Sequence, residues 1–112
     1  MFEVRFYRNQ RGDAPVRDYI DLLEERPQDK VLAFIKKLER EGHLLRRPTA
    51  GYLGGKLWEL RPDQHRILYA FYDRTSIVLL HAILKKSYPV PSGDMGLALK
   101  RLDDWMRRGR YE

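Results

Sequence analysis

Hydrophobic and polar positions alternate at the start of the chain, and this alternation predicts a β-strand. Phe2, Val4 and Phe6 are separated by charged residues, which is the period of a strand with one buried face. The next residues, 8–13, contain asparagine, glycine and aspartate and interrupt the pattern. We therefore expect a short first strand followed by a loop.

Helical periodicity follows this loop in two successive segments. In each segment, apolar residues recur at i, i+3, i+4 and i+7, as on the buried face of a helix. They are Val16, Tyr19, Ile20 and Leu23, then Val31, Phe34, Ile35 and Leu38. Asp13 is placed to cap the first helix, with Pro15 in its first turn. Pro27 is expected to begin the second helix and Gly42 to end it, so the segments predict a helical hairpin.

The middle of the chain predicts a loop and then a sheet. Residues 42–56 contain several glycines and a proline, which favours a loop. Three apolar segments come next, separated by so few residues that antiparallel hairpins are required. These predicted strands cover residues 56–61, 66–72 and 76–84.

A last helix completes the predicted fold. Pro89 and Pro91 end the sheet, and Ser92 is placed to cap the helix that follows. Its apolar stripe consists of Met95, Ala98, Leu99, Leu102, Trp105 and Met106. The resulting order, β-α-α-β-β-β-α, is an α+β fold with a mainly antiparallel sheet, an N-terminal helical hairpin and a C-terminal helix. We expect the helices to cover one face of the sheet.

Composition narrows the class of protein. The 112 residues suit a single domain spanning 1–112. No apolar stretch approaches the roughly 18 residues needed to cross a membrane, and no signal peptide is visible, so we expect a cytoplasmic protein. The absence of cysteine excludes disulfides and thiolate chemistry. Twenty-two basic residues against sixteen acidic ones give a net charge of +6, which favours a polyanionic partner such as nucleic acid.

Two arginines flank the predicted turn between the second and third strands. If Arg61 and Arg66 face each other across a four-residue loop, they project to the same face of the sheet, together with Glu59 and Leu68. The opposite face is predicted to be the core side. It carries Trp58, Leu60, Ile67 and Tyr69. The arginine face is expected to be basic and partly open.

The last strand adds further candidates to this face. In one register His81 and Lys85 join the arginines, and a shift by one residue brings Lys86 there instead. A histidine in an apolar strand is more often a hydrogen-bonded core residue than a catalyst. Arginine binds phosphate and aromatic side chains stack on unpaired bases, so the face suits single-stranded RNA. Since metal-binding and nucleotide-cofactor motifs are missing from the sequence, attack of the RNA 2′-OH on the adjacent phosphate, with neither metal nor cofactor, remains feasible.

Four segments carry a resemblance to a known family. LWELR, RILYAFYD, IVLLHAILKKS and ALKRLDDW resemble, in order and spacing, the HigB-like, phage-derived branch of the RelE/ParE toxin superfamily. The resemblance implies a toxin of a type II toxin–antitoxin system that cleaves mRNA on the translating ribosome without a metal. It also implies a cognate antitoxin, usually a helix-turn-helix protein of HigA-like type.

The resemblance also assigns residues. It implies that Arg61 and Arg66 contact the phosphate, that Lys85 and Lys86 provide positive charge at a strand end, and that His81 matches the histidine of this branch. These five are the catalytic candidates. The candidate RNA-binding residues are Lys56, Tyr88, Arg46 and Arg47.

Departures from the family pattern leave the general base open. Glu59 stands where RelE carries a lysine, so the base is to be found among His81, Glu59, Tyr88 and a lysine of lowered pKa. Two other functions stay open at this point. One is a non-catalytic nucleic-acid-binding module of the same fold, and the other is a ParE-like toxin that acts on gyrase.

Overall fold

The computed structural model describes residues 1–85 and 89–108 of the chain. Within them, an α+β fold is formed by a five-stranded mixed sheet and three α-helices. The elements in order are β1 (Glu3–Phe6), α1 (Pro15–Asp21), α2 (Glu25–Glu41), a 3-10 turn (Gly42–Leu44), β2 (Ala50–Gly54), β3 (Leu57–Leu60), β4 (His65–Asp73), β5 (Ser76–Leu84) and α3 (Ser92–Arg108).

The strands lie in the order β1-β5-β4-β3-β2. Each pair formed by consecutive strands is antiparallel, as the short connections predicted. The first strand is the exception, because β1 pairs in parallel with β5, with Val4 opposite Ile77 and Phe6 opposite Leu79. The sheet is therefore mixed, with the first and the second strands of the chain at its two edges.

The strand β2 corrects the prediction of a continuous loop over residues 42–56. It pairs antiparallel with β3, with Ala50 opposite Leu60 and Tyr52 opposite Trp58, and the register shifts before Gly54. Its sequence, AGYLG, is short and rich in glycine, and it lacks the alternation that identifies a strand. Hydrogen bonding to β3 therefore determines its conformation, which local propensity alone does not favour.

The start of α1 was predicted only in part. Pro15 occupies the first helical turn as expected. The predicted cap by Asp13 is wrong, since Ala14 is the N-cap residue and no side chain caps the helix. The Asp13 carboxylate instead accepts a hydrogen bond from the Asn9 amide at 3.1 Å, which closes the preceding loop.

The predicted boundaries of α2 are also correct at one end and wrong at the other. The helix begins at Glu25, so Pro27 lies within its first turn and not at its start. Gly42 ends it as predicted, with its N–H bonded to the Leu38 carbonyl and a φ of +47°. A β-carbon at this position would overlap the Phe2 ring. Glycine is therefore required both by backbone conformation and by space.

Hydrophobic cores lie on both faces of the sheet, which corrects the expectation that the helices share one face. The first core joins α1 and α2 to the predicted core side. It contains Val16, Ile20, Val31, Ile35, Leu38, Leu60, Ile67, Tyr69, Ile77 and Leu79, with Trp58 packed against it. The second core lies under α3. It contains Tyr7, Leu57, Leu68, Ala70, Val78, Leu80, Ala98, Leu102 and Trp105. An apolar stripe shows that a helix is buried without showing which face it covers.

Candidate phosphate-binding site

Three charged side chains meet at the end of the β3–β4 hairpin. Leu60 lies opposite Ile67, so Arg61 and Arg66 flank the turn as predicted. The Glu59 carboxylate lies between them, with Oε2 at 3.7 Å from Arg61 Nε and Oε1 at 3.8 Å from Arg66 Nε. One carboxylate is therefore shared by two guanidinium groups.

Arg66 is enclosed by protein. It is only 6% exposed, and Glu59 is only 5% exposed. Arg66 Nη1 donates hydrogen bonds of 2.8 Å to the backbone carbonyls of Asp63 and His65. These bonds fix the turn, so the structure places Arg66 where it supports the hairpin, and the expectation of an open face is wrong at this residue.

Arg61 has a different environment. Its side chain is one-fifth exposed, and its Nε, although buried, has no hydrogen-bond partner among the described residues. A buried donor without a partner costs free energy. An anionic oxygen would meet the exposed part of this side chain, while Glu59 keeps the guanidinium oriented.

A cleft of about 310 Å³ opens beside Arg61. It brings cations together with one carboxylate, a hydroxyl group and an apolar wall. Its lining residues are Lys30, Phe34, Pro48, Thr49, Arg61, Asp63 and Arg66. Lys30 Nζ lies 2.7 Å from Asp63 Oδ1, which links α2 to the hairpin turn. Asp63 has a φ of +55°, a conformation that aspartate tolerates better than most residues.

The contribution of α2 to this cleft was not predicted. Lys30 and Phe34 belong to a helix whose sequence shows only an amphipathic stripe, and such a stripe carries no signal for a functional site. The helical spacing places the two residues one turn apart on the same side. Their position beside Arg61 depends on tertiary packing.

His81 belongs to a separate cluster under α3. It lies opposite Leu68 in the sheet. Of the two predicted registers, this is the one that places His81 on the same face as Leu68. Its Nε2 is 2.7 Å from Asp94 Oδ1, and its Nδ1 is 3.2 Å from Arg101 Nη1. Because a guanidinium can only donate, Nδ1 accepts and Nε2–H donates to Asp94.

This pairing occupies both ring nitrogens of His81. Arg101 Nη1 also donates to the Leu80 carbonyl at 2.9 Å, and burial lowers the pKa of Arg101. The arrangement fits the interpretation of His81 as a hydrogen-bonded core residue that fastens α3 to β5.

The predicted lysines at the strand end are partly described. Lys85 follows β5, and its backbone N–H donates to the Gln64 carbonyl at 2.7 Å. The strand end therefore lies beside the turn between Arg61 and Arg66. Lys86 and Tyr88 lie outside the described residues.

The remaining RNA-binding candidates, Lys56, Arg46 and Arg47, are exposed and lie in two different turns of the chain. Lys56 lies in the β2–β3 turn, at the opposite end of β3 from Arg61. Arg46 and Arg47 precede Pro48 of the cleft, and Arg46 Nη1 donates to the His43 carbonyl at 2.6 Å. Arg46 and Arg47 are thus sequence neighbours of a residue that lines the cleft, whereas Lys56 belongs to a turn that does not line it.

A third charged cluster joins α3 to the end of β1. The Tyr7 hydroxyl donates to Asp104 at 2.6 Å, and Arg108 donates to both oxygens of the same carboxylate. Hydrogen bonds from Arg108 and Tyr7 lower the pKa of Asp104 to about 2. Burial raises the pKa of Tyr7, and its bond to Asp104 adds to that shift.

The fold and its cationic cleft define a small α+β protein with a candidate anion-binding site. Comparison with protein families extends this description. The family described as phage-derived protein Gp49-like (DUF891) matches residues 18–103, from within α1 through most of α3. The chain belongs to this family, which is of RelE/HigB-like toxin type and is associated with toxin–antitoxin systems. A search of curated proteins found no match.

Membership in a toxin family suggests an antitoxin partner. In the described part of the chain, no helix is long and apolar enough to cross a membrane. Across the same residues, no group of three or more histidine, aspartate or glutamate side chains is arranged to hold a metal ion.

Proposed function

We propose that this chain is a RelE-like toxin of the HigB branch that cleaves mRNA as a metal-independent endoribonuclease. It acts in the cytoplasm at the ribosome and is neutralised by a helix-turn-helix, HigA-like antitoxin. The observation that supports this proposal most directly is the environment of the Arg61 side chain. This guanidinium is oriented by Glu59, retains a buried donor without a partner, and lines a cleft.

The proposed reaction is an internal transfer within the RNA. The 2′-oxygen forms a bond to the adjacent phosphorus while the bond from phosphorus to the 5′-oxygen breaks. The 2′-proton passes to an acceptor in the site, and the leaving 5′-oxygen receives a proton. The products are a 2′,3′-cyclic phosphate and a 5′-hydroxyl end. Negative charge increases on the phosphoryl oxygens in the transition state, so a fixed cation there accelerates the reaction.

Arg61 provides that cation, and Lys85, whose backbone is bonded to the hairpin turn, adds positive charge. Lys86, the next residue in the sequence, is proposed to add to that charge. Glu59 and Arg66 are positioning residues, because both are enclosed and Glu59 is within 4 Å of both arginines. His81 holds α3 in place, because both of its ring nitrogens are bonded.

We assign the proton acceptor to Asp63, which was not among the candidates named from the sequence, because its carboxylate is about half exposed and lines the cleft. A general base contributes roughly a hundredfold to ten-thousandfold to such a reaction. Asp63→Asn should therefore lower kcat at least about a hundredfold without removing RNA binding. An unchanged rate in this variant would move proton transfer to Glu59.

The test of function is inducible expression in a bacterial host. Growth is followed and mRNA ends are mapped by primer extension for the natural sequence, Arg61→Gln and Arg74→Gln. Arg74 is exposed in the β4–β5 turn, at the other end of β4 from the cleft. Arg74→Gln therefore removes the same charge as Arg61→Gln but away from the candidate site. Thermal unfolding of the purified variants verifies that both are folded.

We expect new mRNA ends and growth arrest from the natural sequence and from Arg74→Gln, and neither from folded Arg61→Gln. Arrest without new ends would contradict the ribonuclease assignment and favour a gyrase-directed toxin. Tight RNA binding without cleavage would favour a non-catalytic module.

A further inference from the structure

We propose that the α2 wall of the cleft binds the nucleotide next to the scissile phosphate, with Phe34 stacking on its base and Lys30 binding its phosphate. This inference rests on the proposed function, since it assigns a subsite beside Arg61. It identifies the ligand as one unpaired nucleotide of a single-stranded RNA.

Phe34 contacts both the first core and the cleft, which it lines next to Pro48. The core contact limits the movement of the side chain, so little conformational entropy remains to be lost when a base binds. A fixed aromatic side chain beside a cation is the usual arrangement for holding single-stranded nucleic acid.

Lys30 is available for exchange with a phosphate. Its ion pair with Asp63 is short, but the two side chains are 46% and 56% exposed. Exposed pairs of this kind contribute little to stability, so replacing Asp63 by a phosphate oxygen costs little. The same exchange would release the Asp63 carboxylate, the group to which proton transfer is assigned.

The dimensions and the chemistry of the cleft limit the ligand. A volume of about 310 Å³ is at the small end for ligand sites and suits one nucleotide rather than a duplex. Cations from different parts of the chain line it together with an apolar wall, with Lys30 on α2 and Arg61 after β3. Stacking accepts any base, so this subsite should bind the nucleotide with little discrimination between bases.

The test uses short single-stranded RNAs with a 2′-deoxy nucleotide at the cleavage position, which prevents reaction. In a series of these RNAs, each nucleotide in turn is replaced by an abasic one, and binding is followed by fluorescence anisotropy. We expect one position at which loss of the base weakens binding to the natural sequence about tenfold. Phe34→Leu should bind the intact RNA about tenfold more weakly and should not respond to the abasic nucleotide at that position.

Two further variants separate stacking from packing. Phe34→Tyr keeps an aromatic ring and should retain the affinity of the natural sequence. Leu32→Ala removes an exposed apolar residue elsewhere on α2 and should leave affinity unchanged. Thermal unfolding of Phe34→Leu establishes that the protein remains folded at the temperature of the measurement.

Lys30 is tested against Lys36, an exposed lysine on the same helix that does not line the cleft. Lys30→Ala should weaken binding. It should also reduce the slope of log Kd against log salt concentration by about 1, the value expected for the loss of one phosphate contact. Lys36→Ala should change neither quantity.

The outcomes distinguish this inference from the proposed function. If the natural sequence cleaves RNA but Phe34→Leu keeps full affinity and the same response to abasic nucleotides, the subsite is overturned and the ribonuclease stands. The subsite is also overturned if Lys30→Ala and Lys36→Ala behave alike. If the natural sequence neither binds nor cleaves single-stranded RNA, both proposals fail.

Discussion

Two charged clusters in this protein contain similar groups but differ in how well those groups are satisfied. At the β3–β4 hairpin, Glu59 lies 3.7 and 3.8 Å from the Nε atoms of its two arginines, and one of those nitrogens has no hydrogen-bond partner among the described residues. Under α3, His81 is bonded on both sides, at 2.7 Å to Asp94 and at 3.2 Å to Arg101.

This difference separates a cluster that retains an unused hydrogen-bond donor from one in which the central side chain is bonded on both sides. The ion pairs of the hairpin cluster are too long to be hydrogen bonds, and an anion could take up donor capacity there. The cluster under α3 has both histidine nitrogens in use. A histidine in a strand is therefore weaker evidence for catalysis than a buried guanidinium whose donor is unsatisfied.

Within the hairpin cluster, we expect the greatest loss of stability from Arg66→Ala. The change leaves the Glu59 carboxylate enclosed with one partner fewer and removes the bonds to the turn carbonyls. Breaking a buried ion pair in this way costs about 3–5 kcal/mol. Urea denaturation measures the loss. The double variant Glu59→Gln/Arg66→Met, in which neither charge remains, should recover part of it, and a fully stable Arg66→Ala would show that the pair is not structural.

His81→Ala tests the other side of the comparison. Loss of a buried group that bonds two partners should lower the free energy of unfolding by about 1–3 kcal/mol, because Asp94 and Arg101 lose their shared partner. The folded variant should keep its cleavage rate within a few-fold at low temperature. Unchanged stability together with lost cleavage would contradict the structural role and make His81 a catalytic residue.

Asp104 gives a smaller and pH-dependent effect. Its pKa is about 2 in the folded protein, below the ordinary value of 3.8, so its bonds stabilise the fold above pH 4. This contribution is lost as the pH falls from about 4 to 2. Since the side chain is partly exposed, solvent limits the effect to about 1 kcal/mol.

Asp104→Asn should make the urea midpoint less dependent on pH over that interval. The matched control is Asp103→Asn, which changes an exposed neighbour paired with Arg107. If both variants keep the pH dependence of the natural sequence, the Tyr7–Asp104–Arg108 cluster does not stabilise the fold.

Much of the fold could be predicted because the apolar period of each long element matches its structure. The predicted hairpin between residues 56–61 and 66–72 placed Leu60 and Ile67 together on the core side, and both lie in the first core. The strand β2 escaped prediction because its glycines and short length give no alternation. The second core escaped because the stripe on α3 is equally compatible with either face of the sheet.

The candidate site was harder to predict because burial of a charged residue leaves no mark in the sequence. Arg61 and Arg66 look equivalent beside the turn, yet Arg66 is enclosed and bonded to backbone carbonyls, while Arg61 is one-fifth exposed and has a donor without a hydrogen-bond partner among the described residues. The contributions of Lys30 and Phe34 come from a helix about thirty residues earlier in the chain. Such a meeting is set by packing between elements and not by local pattern.

The parallel pairing of β1 with β5 has a consequence for the time at which the protein acquires its structure. The first strand to be synthesised joins the sheet beside the last one, and the Arg8 carbonyl is bound by Arg108, a hundred residues later. Contacts between such distant residues slow folding. An incomplete nascent chain that lacks α3 also leaves the second core uncovered. For a protein proposed to act on translation, the folded form therefore appears only after α3 has been synthesised.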